Sequence, residues 1–529
     1  MDNPAATGTG AIDRLGADLL IDSLYEGGAR ICFANPGTTE LGLVSALARD
    51  GRLRCVLSLF EGVCTGAADG YARVSGDVPL TLLHLGPGFA NGIANLHNAR
   101  RAGSRIINLI GDHATWHLAA DAPLTSDIRS LASPVSREVV YLADIAGIPA
   151  GVGQTFAAVN GGGGGAATLI IPTDVVDAPA PKDGGAVIAP PFVRTLVAEA
   201  AIEAAEAELR AAGDVILLLG ADALTERGIR AGARIAATLG ARLLMEPYPA
   251  IVTLGGDLPV VERQAYFPDD VTAQMGCAHV LLAGARTPIS YFGYEGWPSQ
   301  LVPDERLIPL AAAGDDAVDA LERLAVLLDA RDEGPREAVT SNASPEPKAT
   351  MSPASIVEEL LVQLPEDAVI SLEGSTLGGP WLRNAHRACR HRVMTNTGGA
   401  IGQGLPCAVG AALAAPDVRI ISLQSDGSAQ YTLQSLWTMA REELKVTVII
   451  AANHRYAILQ TELTRASVPL DDAVTANLTR LDNPRIDWVA LARGYGVEAV
   501  RVTTNGELAA AVRHGLALEG PLLIQAELP

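Results

Sequence analysis

The segment Gln424-Ser425-Asp426-Gly427-Ser428, together with Asn453, determines the fold and the site predicted for this chain of 529 residues. Asp426 and Asn453 each follow a short apolar run, 418–424 and 446–452, whose β-branched residues predict a buried strand. Residues 431–443 have helical spacing and form the crossover between two parallel strands. Asp426 and Asn453 are therefore expected at one carboxyl edge of a parallel sheet, where α/β proteins bind their ligands.

The side chains at this edge predict a metal ion that holds a diphosphate. Asp426, Asn453 and a main-chain carbonyl near Arg455 are hard oxygen donors, which suit Mg²⁺, and such an ion keeps diphosphate oxygens in its remaining positions. Gly427 lets the backbone approach the phosphates, and Ser428 can donate a hydrogen bond to them. A Ser-Asp-Gly-Ser segment alone is more often an ordinary turn. The flanking strands and the position of Asn453 favour the metal site.

This pattern resembles the thiamine-diphosphate-binding motif of the family that includes acetolactate synthase, benzoylformate decarboxylase and pyruvate decarboxylase. Ser425 stands where the family usually has Gly, and His454 where it usually has a second Asn, but neither change removes a metal-coordinating side chain. The resemblance implies thiamine diphosphate and Mg²⁺ as cofactors. It also implies an α/β fold of three doubly wound parallel-sheet domains: a pyrimidine-binding domain (1–180), a central domain (190–332) and a diphosphate-binding domain (352–529).

Composition agrees with this class and excludes others. The length suggests about three domains, and 49% hydrophobic but only 4% aromatic residues favour helices packed closely on parallel sheets. A net charge of −21 argues against a nucleic-acid or anionic membrane partner. The first residues lack the order of a signal peptide and no apolar run reaches the ~18 residues of a membrane span, so we expect a cytoplasmic protein. Six cysteines without pairing or zinc spacing are expected to be reduced: Cys32, Cys55, Cys64, Cys277, Cys389 and Cys407.

A second motif begins at Glu61, between an apolar strand and a helix of small residues. A carboxylate there is costly unless it has a partner, although a first-turn carboxylate also interacts well with the helix dipole. The run from Glu61 to Arg73 resembles the glutamate helix of the same family, in which this Glu bonds N1′ of the cofactor's aminopyrimidine. The resemblance implies that Glu61 favours the imino tautomer, whose nitrogen removes the C2 proton of the thiazolium.

Other residues of the amino-terminal domain are candidates for the substrate site. The resemblance to benzoylformate decarboxylase implies that His84, after the strand of residues 81–83, is an active-site histidine and that Thr38 contacts the substrate carboxylate. The loop that contains Thr38 is otherwise typical of a turn with a helix N-cap. His113 and His117 follow the strand of residues 105–110 and rank below His84, since they can equally cap local structure.

Further cofactor contacts are implied in the carboxyl-terminal domain. Glu373, Ser375 and Thr376 follow a predicted strand at positions matching diphosphate-binding residues. Gly399 would offer its carbonyl to the 4′-amino group, and Ile401, twenty-five positions before Asp426, resembles the bulky residue that holds the cofactor in its V shape. Tyr456 completes the set of predicted cofactor-binding residues: Glu61, Glu373, Ser375, Thr376, Gly399, Ile401, Gly427, Ser428 and Tyr456.

The predicted function is decarboxylation of a 2-oxo acid, with or without ligation of the carbanion to a second carbonyl compound; the sequence leaves the identity of the 2-oxo acid open. The alternative is acetolactate synthase itself, which contains FAD; the sequence leaves FAD open. The glycine run 161–165 lacks the Lys-Ser/Thr of a phosphate loop, and the chain has no Gly-x-Gly-x-x-Gly after its strands, so a Rossmann oxidoreductase is disfavoured. A silent regulatory member is disfavoured by the intact Glu61, Asp426 and Asn453. The resemblance also implies a homodimer or homotetramer with shared active sites.

Overall fold

The computed structural model describes residues 14–181, 187, 189–334 and 343–529. The amino-terminal residues weighed above as a signal peptide lie outside this described part. Within the described residues three sheets form the fold, and every pair of neighbouring strands in them but one is parallel. The predicted α/β architecture with three parallel-sheet domains is confirmed. Across the described residues, no helix is both long and apolar enough to cross a membrane.

The first sheet has six strands in the order β2-β1-β3-β4-β6-β5. Its four central strands are buried apolar runs that lie between helices on both faces, as parallel strands require, whereas the two edge strands are partly exposed. The strands are β1 (Ile31–Asn35), β2 (Arg54–Leu57), β3 (Leu80–Leu83), β4 (Ile106–Asp112), β5 (Glu138–Tyr141) and β6 (Ala166–Pro172). The helices are α1 (Gly16–Glu26), α2 (Leu41–Asp50), α3 (Glu61–Ser75), α4 (Leu85–Ala102), α5 (Ile128–Ala132), α6 (Ile148–Asn160) and α7 (Thr173–Val176).

The central part of the chain forms a smaller sheet of five strands, in the order β10-β8-β7-β11-β12. Its strands are β7 (Val215–Leu219), β8 (Arg242–Met245), β10 (Glu262–Arg263), β11 (His279–Ala283) and β12 (Leu307–Ala311), and β9 (Val252–Leu254) leaves this sheet for the third one. The helices are α8 (Glu199–Ala211), α9 (Glu226–Leu239), α10 (Pro268–Met275) and α11 (Ala317–Leu327).

The third sheet has seven strands in the order β17-β18-β16-β15-β13-β14-β9. The strands that follow β9 are β13 (Val369–Leu372), β14 (His391–Met394), β15 (Ile420–Ser425), β16 (Val446–Ala452), β17 (Glu498–Val502) and β18 (Leu522–Glu527). The helices are α12 (Pro353–Gln363), α13 (Ser375–Asn384), α14 (Gly404–Ala414), α15 (Ser435–Arg441), α16 (Ala457–Arg465), α17 (Ala473–Thr479), α18 (Trp488–Gly494) and α19 (Asn505–Ala517).

Strand β9 is the one antiparallel member, and it pairs with β14. It lies within the range 190–332 expected for the central domain but belongs to the sheet of the third. The sequence pattern cannot reveal this, because a run of three residues carries no pairing information. The expected domain ranges stay predictions. The structure shows that β9, although it lies in the central range, is a strand of the third sheet.

The first and third domains pack through helices α3 and α14. A side chain at Gly70 would collide with the backbone of Cys407, and one at Gly410 would collide with the backbone of Ala67. Both helices are almost fully buried along their length. The helix that begins with Glu61 is thus fixed against the helix that follows the predicted cofactor residues.

Candidate active site

The predicted metal ligands lie at one edge of the third sheet. Strands β15 and β16 are adjacent and parallel, with Ser425 opposite Ala451, so the residues that follow them share that edge. Asp426 is almost completely buried, and burial raises its pKa. One of its oxygens accepts the N–H of Gly427 at 2.9 Å and the other accepts the N–H of His454 at 2.6 Å. A buried carboxylate held only by backbone amides is the donor that a cation would neutralise.

Asn453 connects this edge to the next strand. Its Nδ2 donates to Oγ1 of Thr376 at 3.1 Å, and its Oδ1 accepts the N–H of Arg455 at 3.2 Å. Thr376 and Ser375 form the first turn of α13, which follows β13, the neighbour of β15. The oxygens of Asp426 and Asn453 and the hydroxyls of that turn therefore come together at one edge. This donor set fits a magnesium ion and a diphosphate.

The two departures from the family motif have local structural explanations. His454 has a left-handed backbone with φ of 54°, a conformation in which Asn and His are both enriched. Its Nε2 lies 2.8 Å from a carboxylate oxygen of Glu527, which fixes the ring. Ser425 fits because position 374 is glycine: a side chain at Gly374, whose φ is 91°, would collide with the Ser425 hydroxyl. Both replacements preserve the path of the loop.

Tyr456 lies over Gly427, beside the predicted metal ligand Asp426, and Tyr431 lies next to Tyr456. A side chain at Gly427 would collide with the ring of Tyr456, so glycine is required where this ring covers the loop. Tyr456 is hydrogen-bonded to Tyr431, which is half exposed and packs against Gly402. Ser428 donates its hydroxyl to the carbonyl of Ser425 at 3.2 Å. Tyr431 is a residue at this edge that is not among the predicted cofactor-binding residues.

We name residues 396–403 the cofactor loop, since Gly399 and Ile401 lie in it. Gly399 has φ of 77°, and a side chain there would collide with the hydroxyl of Tyr291 from the central domain. Ile401 is 37% exposed, unlike the apolar core around it. An uncovered isoleucine beside a left-handed glycine is consistent with the predicted contact to the cofactor.

Glu373 holds the cofactor loop in place. Its oxygens accept the N–H groups of Gly402, Gln403 and Gly404 at 2.6, 3.3 and 2.7 Å. Burial raises the pKa of this carboxyl, and the backbone amides partly offset that effect. Direct binding of the cofactor by Glu373 stays a prediction. In the structure both of its oxygens accept backbone N–H groups at the end of the loop. Glu373 therefore contributes to the site by fixing the shape of the loop.

The other half of the site lies at the carboxyl edge of the first sheet. Strands β2, β1, β3 and β4 are consecutive neighbours there. Glu61 is the first residue of α3 and is buried; its Oε2 accepts the Nδ2 group of Asn91 at 3.0 Å. A Cβ at Gly88 would lie 3.1 Å from Oε1 of Glu61 and 3.3 Å from Cβ of His84. Glu61 and His84 thus lie on the two sides of one glycine.

Glu40 is a residue of this site that the sequence argument missed. It is fully buried, and its Oε2 lies 2.8 Å from Nδ1 of His84 and accepts the N–H of Gly37 at 2.8 Å. Its Oε1 accepts the hydroxyl of Thr39 at 2.7 Å. The carboxylate fixes the His84 ring with Nδ1 as the donor, which leaves Nε2 to accept or deliver a proton. Thr38, beside this cluster, is exposed.

His113 and His117 lie after β4, at the same edge of the sheet. Their rings are in edge-to-face contact with centroids 5.6 Å apart, and His117 contacts the exposed Trp116 in the same way. Nε2 of His113 is buried and has no hydrogen-bond partner in the described chain. The structure brings these histidines to the same edge as His84, but among the described residues neither has a carboxylate bonded to its ring like the one that orients His84.

One bridge joins the two edges within a chain. Nδ2 of Asn95 donates to the carbonyl of Gly62 at 2.8 Å and to the carbonyl of Gly402 at 3.4 Å. Asn98 adds a bond to the carbonyl of Ala400 at 2.8 Å. The start of the glutamate helix and the cofactor loop are therefore tied to the same helix, α4. The arrangement can hold a metal–diphosphate at one edge and place a carboxylate and an oriented histidine at the other.

Comparisons with known proteins identify the family of this chain. Residues 14–131 match the N-terminal TPP binding domain of thiamine pyrophosphate enzymes, and residues 380–526 match their C-terminal TPP binding domain. The Mycobacterium tuberculosis protein IlvX, named as an acetolactate synthase large subunit, is 43% identical over 97% of this chain and 99% of its own. The chain belongs to the thiamine pyrophosphate enzyme family, and thiamine diphosphate is the cofactor that its two matched domains indicate.

One further relative and one solved structure of the same fold carry decarboxylase names. Benzoylformate decarboxylase of Pseudomonas aeruginosa is 28% identical over 94% of this chain and 96% of its own length. The solved structure of a thiamine diphosphate-dependent 4-hydroxybenzoylformate decarboxylase from Rhodococcus jostii superposes with a TM-score of 0.86 at 24% identity. It covers 97% of this chain and 99% of that chain, and it shows that the whole fold is shared.

Proposed function

We propose that this protein decarboxylates a 2-oxo acid with thiamine diphosphate held by Mg²⁺. The single observation that carries the proposal is the placement of Glu61. Its carboxylate is buried, accepts one amide from Asn91 on Oε2, and leaves Oε1 beside Gly88, where no side chain fills the space. When bound, thiamine diphosphate supplies the carbanion equivalent that attacks the oxo group and stores the electrons after CO₂ leaves.

In this proposal each residue has a defined task. Asp426, Asn453 and the Arg455 carbonyl would hold Mg²⁺, with Ser375, Thr376 and Ser428 near the diphosphate. Glu61 would hold the proton at N1′ of the aminopyrimidine. His84, oriented by Glu40, would move a proton at the reacting carbon. Thr38 is exposed at the same edge and would contact the substrate carboxylate.

Relatives and structure support an aryl or similarly bulky 2-oxo acid over pyruvate. Two of the compared proteins are named for benzoylformate or its 4-hydroxy derivative. The aromatic pair Tyr431 and Tyr456 and the exposed Ile401 lie at the metal edge of the site. Acetolactate synthesis, in which the carbanion joins a second oxo acid, is the second candidate, since the relative at 43% identity carries that name.

We propose that the active form is at least a homodimer whose sites combine Glu61 of one chain with Asp426 of another. Exposed apolar side chains support this proposal, because uncovered apolar groups at a site edge suit a protein partner. They occur at both edges: Leu41, Leu59 and Trp116 on the first domain, and Ile401, Ile458 and Leu459 on the third. Mixing Glu61→Gln chains with Asp426→Ala chains should restore part of the activity. No recovery after verified subunit exchange would place each site within one chain.

The chemistry itself is tested by Glu61→Gln. This variant should bind thiamine diphosphate and Mg²⁺ but lose most exchange of the C2 proton for deuterium, measured by NMR. Unchanged exchange would refute the role of Glu61. Product analysis with benzoylformate and pyruvate supplied separately then distinguishes aldehyde from acetolactate. An exposed charge on the same domain, removed by Glu26→Gln, is the matched control and should change neither result.

A further inference from the structure

Helix α4 of the first domain lies along the cofactor loop of the third domain and bonds every second carbonyl group in the middle of that loop. The bonds come from polar side chains at four consecutive positions of the helix. They are His97 Nε2 to the Gly398 carbonyl at 3.1 Å, Asn98 Nδ2 to that of Ala400 at 2.8 Å, and Asn95 Nδ2 to that of Gly402 at 3.4 Å. The shape of this loop therefore depends on side chains of another domain.

The two residues between these bonds are left open. Gly399 and Ile401 are exposed, and within the described part of the chain no group donates a hydrogen bond to either of their carbonyls. They are also the two residues of the loop that are predicted to contact the cofactor. Because held and open residues alternate, a bond at Ala400 sets the position of both open residues beside it.

Ala400 is bonded at both of its backbone groups by the side chain of Asn98. Nδ2 of Asn98 donates to the Ala400 carbonyl at 2.8 Å, and Oδ1 of Asn98 accepts the Ala400 N–H at 3.2 Å. The carboxamide thus replaces a neighbouring β-strand, whose residues exchange the same two bonds. The second N–H of Nδ2 donates to Oδ1 of Asn95 at 3.2 Å, which assigns the orientation of the amide. We name the two bonds between Asn98 and Ala400 the Asn98 clamp.

The Asn98 clamp is buried and closely fitted. Asn98 is fully buried, and a Cβ at Gly398 would lie 2.5 Å from its Oδ1 and 2.8 Å from Cδ2 of His97. Glycine at position 398 therefore lets the loop backbone lie directly on α4. Because a buried polar group is costly without a partner, Asn98 and Ala400 hold each other in one arrangement.

The two ends of the cofactor loop are fixed without Asn98. Near the start of the loop, Nη2 of Arg73 donates to the hydroxyl of Thr397 at 3.2 Å. At its end, Glu373 accepts the N–H groups of residues 402–404. The clamp therefore acts on the middle of the loop, so the fold should survive its removal.

Asn396 supports the middle of the loop from within. Its Nδ2 also donates to the Ala400 carbonyl, and its Oδ1 accepts the N–H of Gly399, both at 2.9 Å. Both partners belong to the loop, so these bonds shape the turn but do not attach it to the first domain. In the described chain the N–H of Ala400 is bonded by Asn98 alone. This N–H is the group that reports on the clamp.

The same side of α4 also holds Glu61. Asn91, Asn95 and Asn98 follow one another at spacings of four and three, which places them on one face of a helix. Nδ2 of Asn91 donates to Oε2 of Glu61 at 3.0 Å. This row of asparagines therefore connects the two groups that are predicted to contact an aminopyrimidine, the Glu61 carboxylate and the Gly399 carbonyl.

We propose that Asn98 is a positioning residue for thiamine diphosphate: through Ala400 it sets the direction of the Gly399 carbonyl and the placement of the Ile401 side chain. This role rests on the proposed function, because it matters only where the loop contacts the cofactor. The clamp itself stands without it. The bonds of Asn98 among the described residues involve α4 and the cofactor loop, not the metal edge. Asn98 should therefore affect the organic part of the cofactor and leave its diphosphate end unchanged.

Amide hydrogen exchange resolved to single residues tests the clamp in the full chain before thiamine diphosphate is added. Asn98→Leu keeps a similar side-chain volume but removes both bonds to Ala400. The Ala400 amide should exchange about tenfold faster in this variant, because its partner is lost. The amides of Gly402 and Gln403, which are bonded to Glu373, should keep their rates. Equal exchange at Ala400 in the parent chain and the variant would disprove the clamp.

Calorimetry with two ligands tests the positioning role. Thiamine diphosphate with Mg²⁺ reaches the cofactor loop, whereas inorganic pyrophosphate with Mg²⁺ reaches only the metal edge. Asn98→Leu should weaken the binding of thiamine diphosphate about tenfold and leave that of pyrophosphate unchanged. Exchange of the C2 proton in the cofactor-saturated protein should also become slower, since the Gly399 carbonyl no longer orients the 4′-amino group.

Gly398→Ala disturbs the same contact from the side of the loop. The added Cβ would meet Oδ1 of Asn98, so the loop must move away from α4 although Asn98 is present. This variant should also weaken thiamine diphosphate and not pyrophosphate. The matched control is Asn505→Leu, because Asn505 is also buried and bonds Ser355 and Glu346 instead of the loop. The control should lower stability and leave both affinities as in the parent chain.

Three results would overturn the positioning role. They are unchanged affinity for thiamine diphosphate in both loop-contact variants, an equal loss of pyrophosphate binding, and the same loss in Asn505→Leu. The last two would show a general effect of lower stability. A parent chain that does not bind thiamine diphosphate would disprove the cofactor assignment and this role together, while the exchange data still decide the clamp. None of these measurements depends on whether a 2-oxo acid is decarboxylated, so the two proposals can fail separately.

Discussion

Replacing Glu40 tests whether His84 acts as an oriented proton carrier. Glu40 is fully buried and accepts from Gly37, Thr39 and His84. Glu40→Leu keeps a similar volume but removes every acceptor. The Thr39 hydroxyl can rotate to another partner, whereas the Gly37 N–H and the His84 Nδ1–H lose theirs. Each unsatisfied buried donor costs about 1–3 kcal/mol.

Two donors lose their partner, and we expect the loss of stability to lie at the lower end of their combined cost. The His84 side chain is 23% exposed, so water can reach part of it. We therefore expect Glu40→Leu to lower the free energy of unfolding by about 2–3 kcal/mol. Turnover should fall by about 10²–10⁴-fold, the contribution of a positioned general acid or base.

Glu40→Gln separates orientation from charge. Its amide oxygen can still accept from Gly37 and His84, while its amide nitrogen donates to Thr39. Stability should stay within about 1 kcal/mol of the parent chain, because only the charge-assisted part of the bonding is lost. Turnover should still fall about tenfold, since a neutral partner no longer stabilises the imidazolium.

The assays are denaturant unfolding, cofactor affinity by calorimetry, and turnover with the best 2-oxo acid substrate. NMR of ¹⁵N-labelled histidine reports the tautomer directly, and Nδ1 should carry the proton in the parent chain. Glu26→Gln is again the control. If Glu40→Leu keeps full turnover and the same tautomer, His84 is not oriented by Glu40 and the proton carrier must be sought at His113 or His117.

Three further predictions concern the cofactor and the core. Asp426→Ala should abolish calorimetric binding of thiamine diphosphate with Mg²⁺, whereas Asp417→Ala, exposed in the same domain, should not; parent-like affinity would refute the metal assignment. Ile401→Ala should lower every product-forming rate together, and a change in one product alone would contradict a role in shaping the cofactor. Burial lowers the pKa of His391 from 6.5 to about 4. As the pH falls, the unfolded chain therefore binds this proton before the folded chain does. The free energy of unfolding should decrease by about 1.4 kcal/mol for each pH unit as the pH falls from 6.5 to about 4. His391→Leu should flatten that slope in pH-dependent unfolding; an unchanged slope would mean that other groups cause it.

The sequence was sufficient for the parts of the site that follow strands. Asp426 and Asn453 follow the buried strands β15 and β16, and Glu61 follows the edge strand β2 after a short connection. The edge of a parallel sheet gathers whatever follows its strands. Their positions can be predicted from the period of the apolar pattern and from the direction of the chain. The identity of neighbouring strands, such as β15 beside β16, followed from the helical crossover between them.

Glu40 shows what such reasoning misses. In sequence it stands before an apolar helix and is typical of a helix start. Its partner His84 lies forty-four positions away, and the contact exists only because β1 and β3 are adjacent. Glu373 presents the opposite case: its position was predicted, but its carboxylate is bonded to the backbone of a distant loop. Long-range pairing of polar groups leaves no periodic signal, so structure is needed to find it.

The strand exchange at β9 makes the central and third domains one unit of inheritance. The chain leaves the central sheet after β8, pairs with β14 in the third sheet and then returns to form β10. A shortened gene that deleted the central segment would also remove the cover from β14. Its bare backbone groups would then be free to recruit strands from other molecules. Recombination could therefore exchange the central part only together with its three-residue strand, however well the linkers on either side tolerate a break.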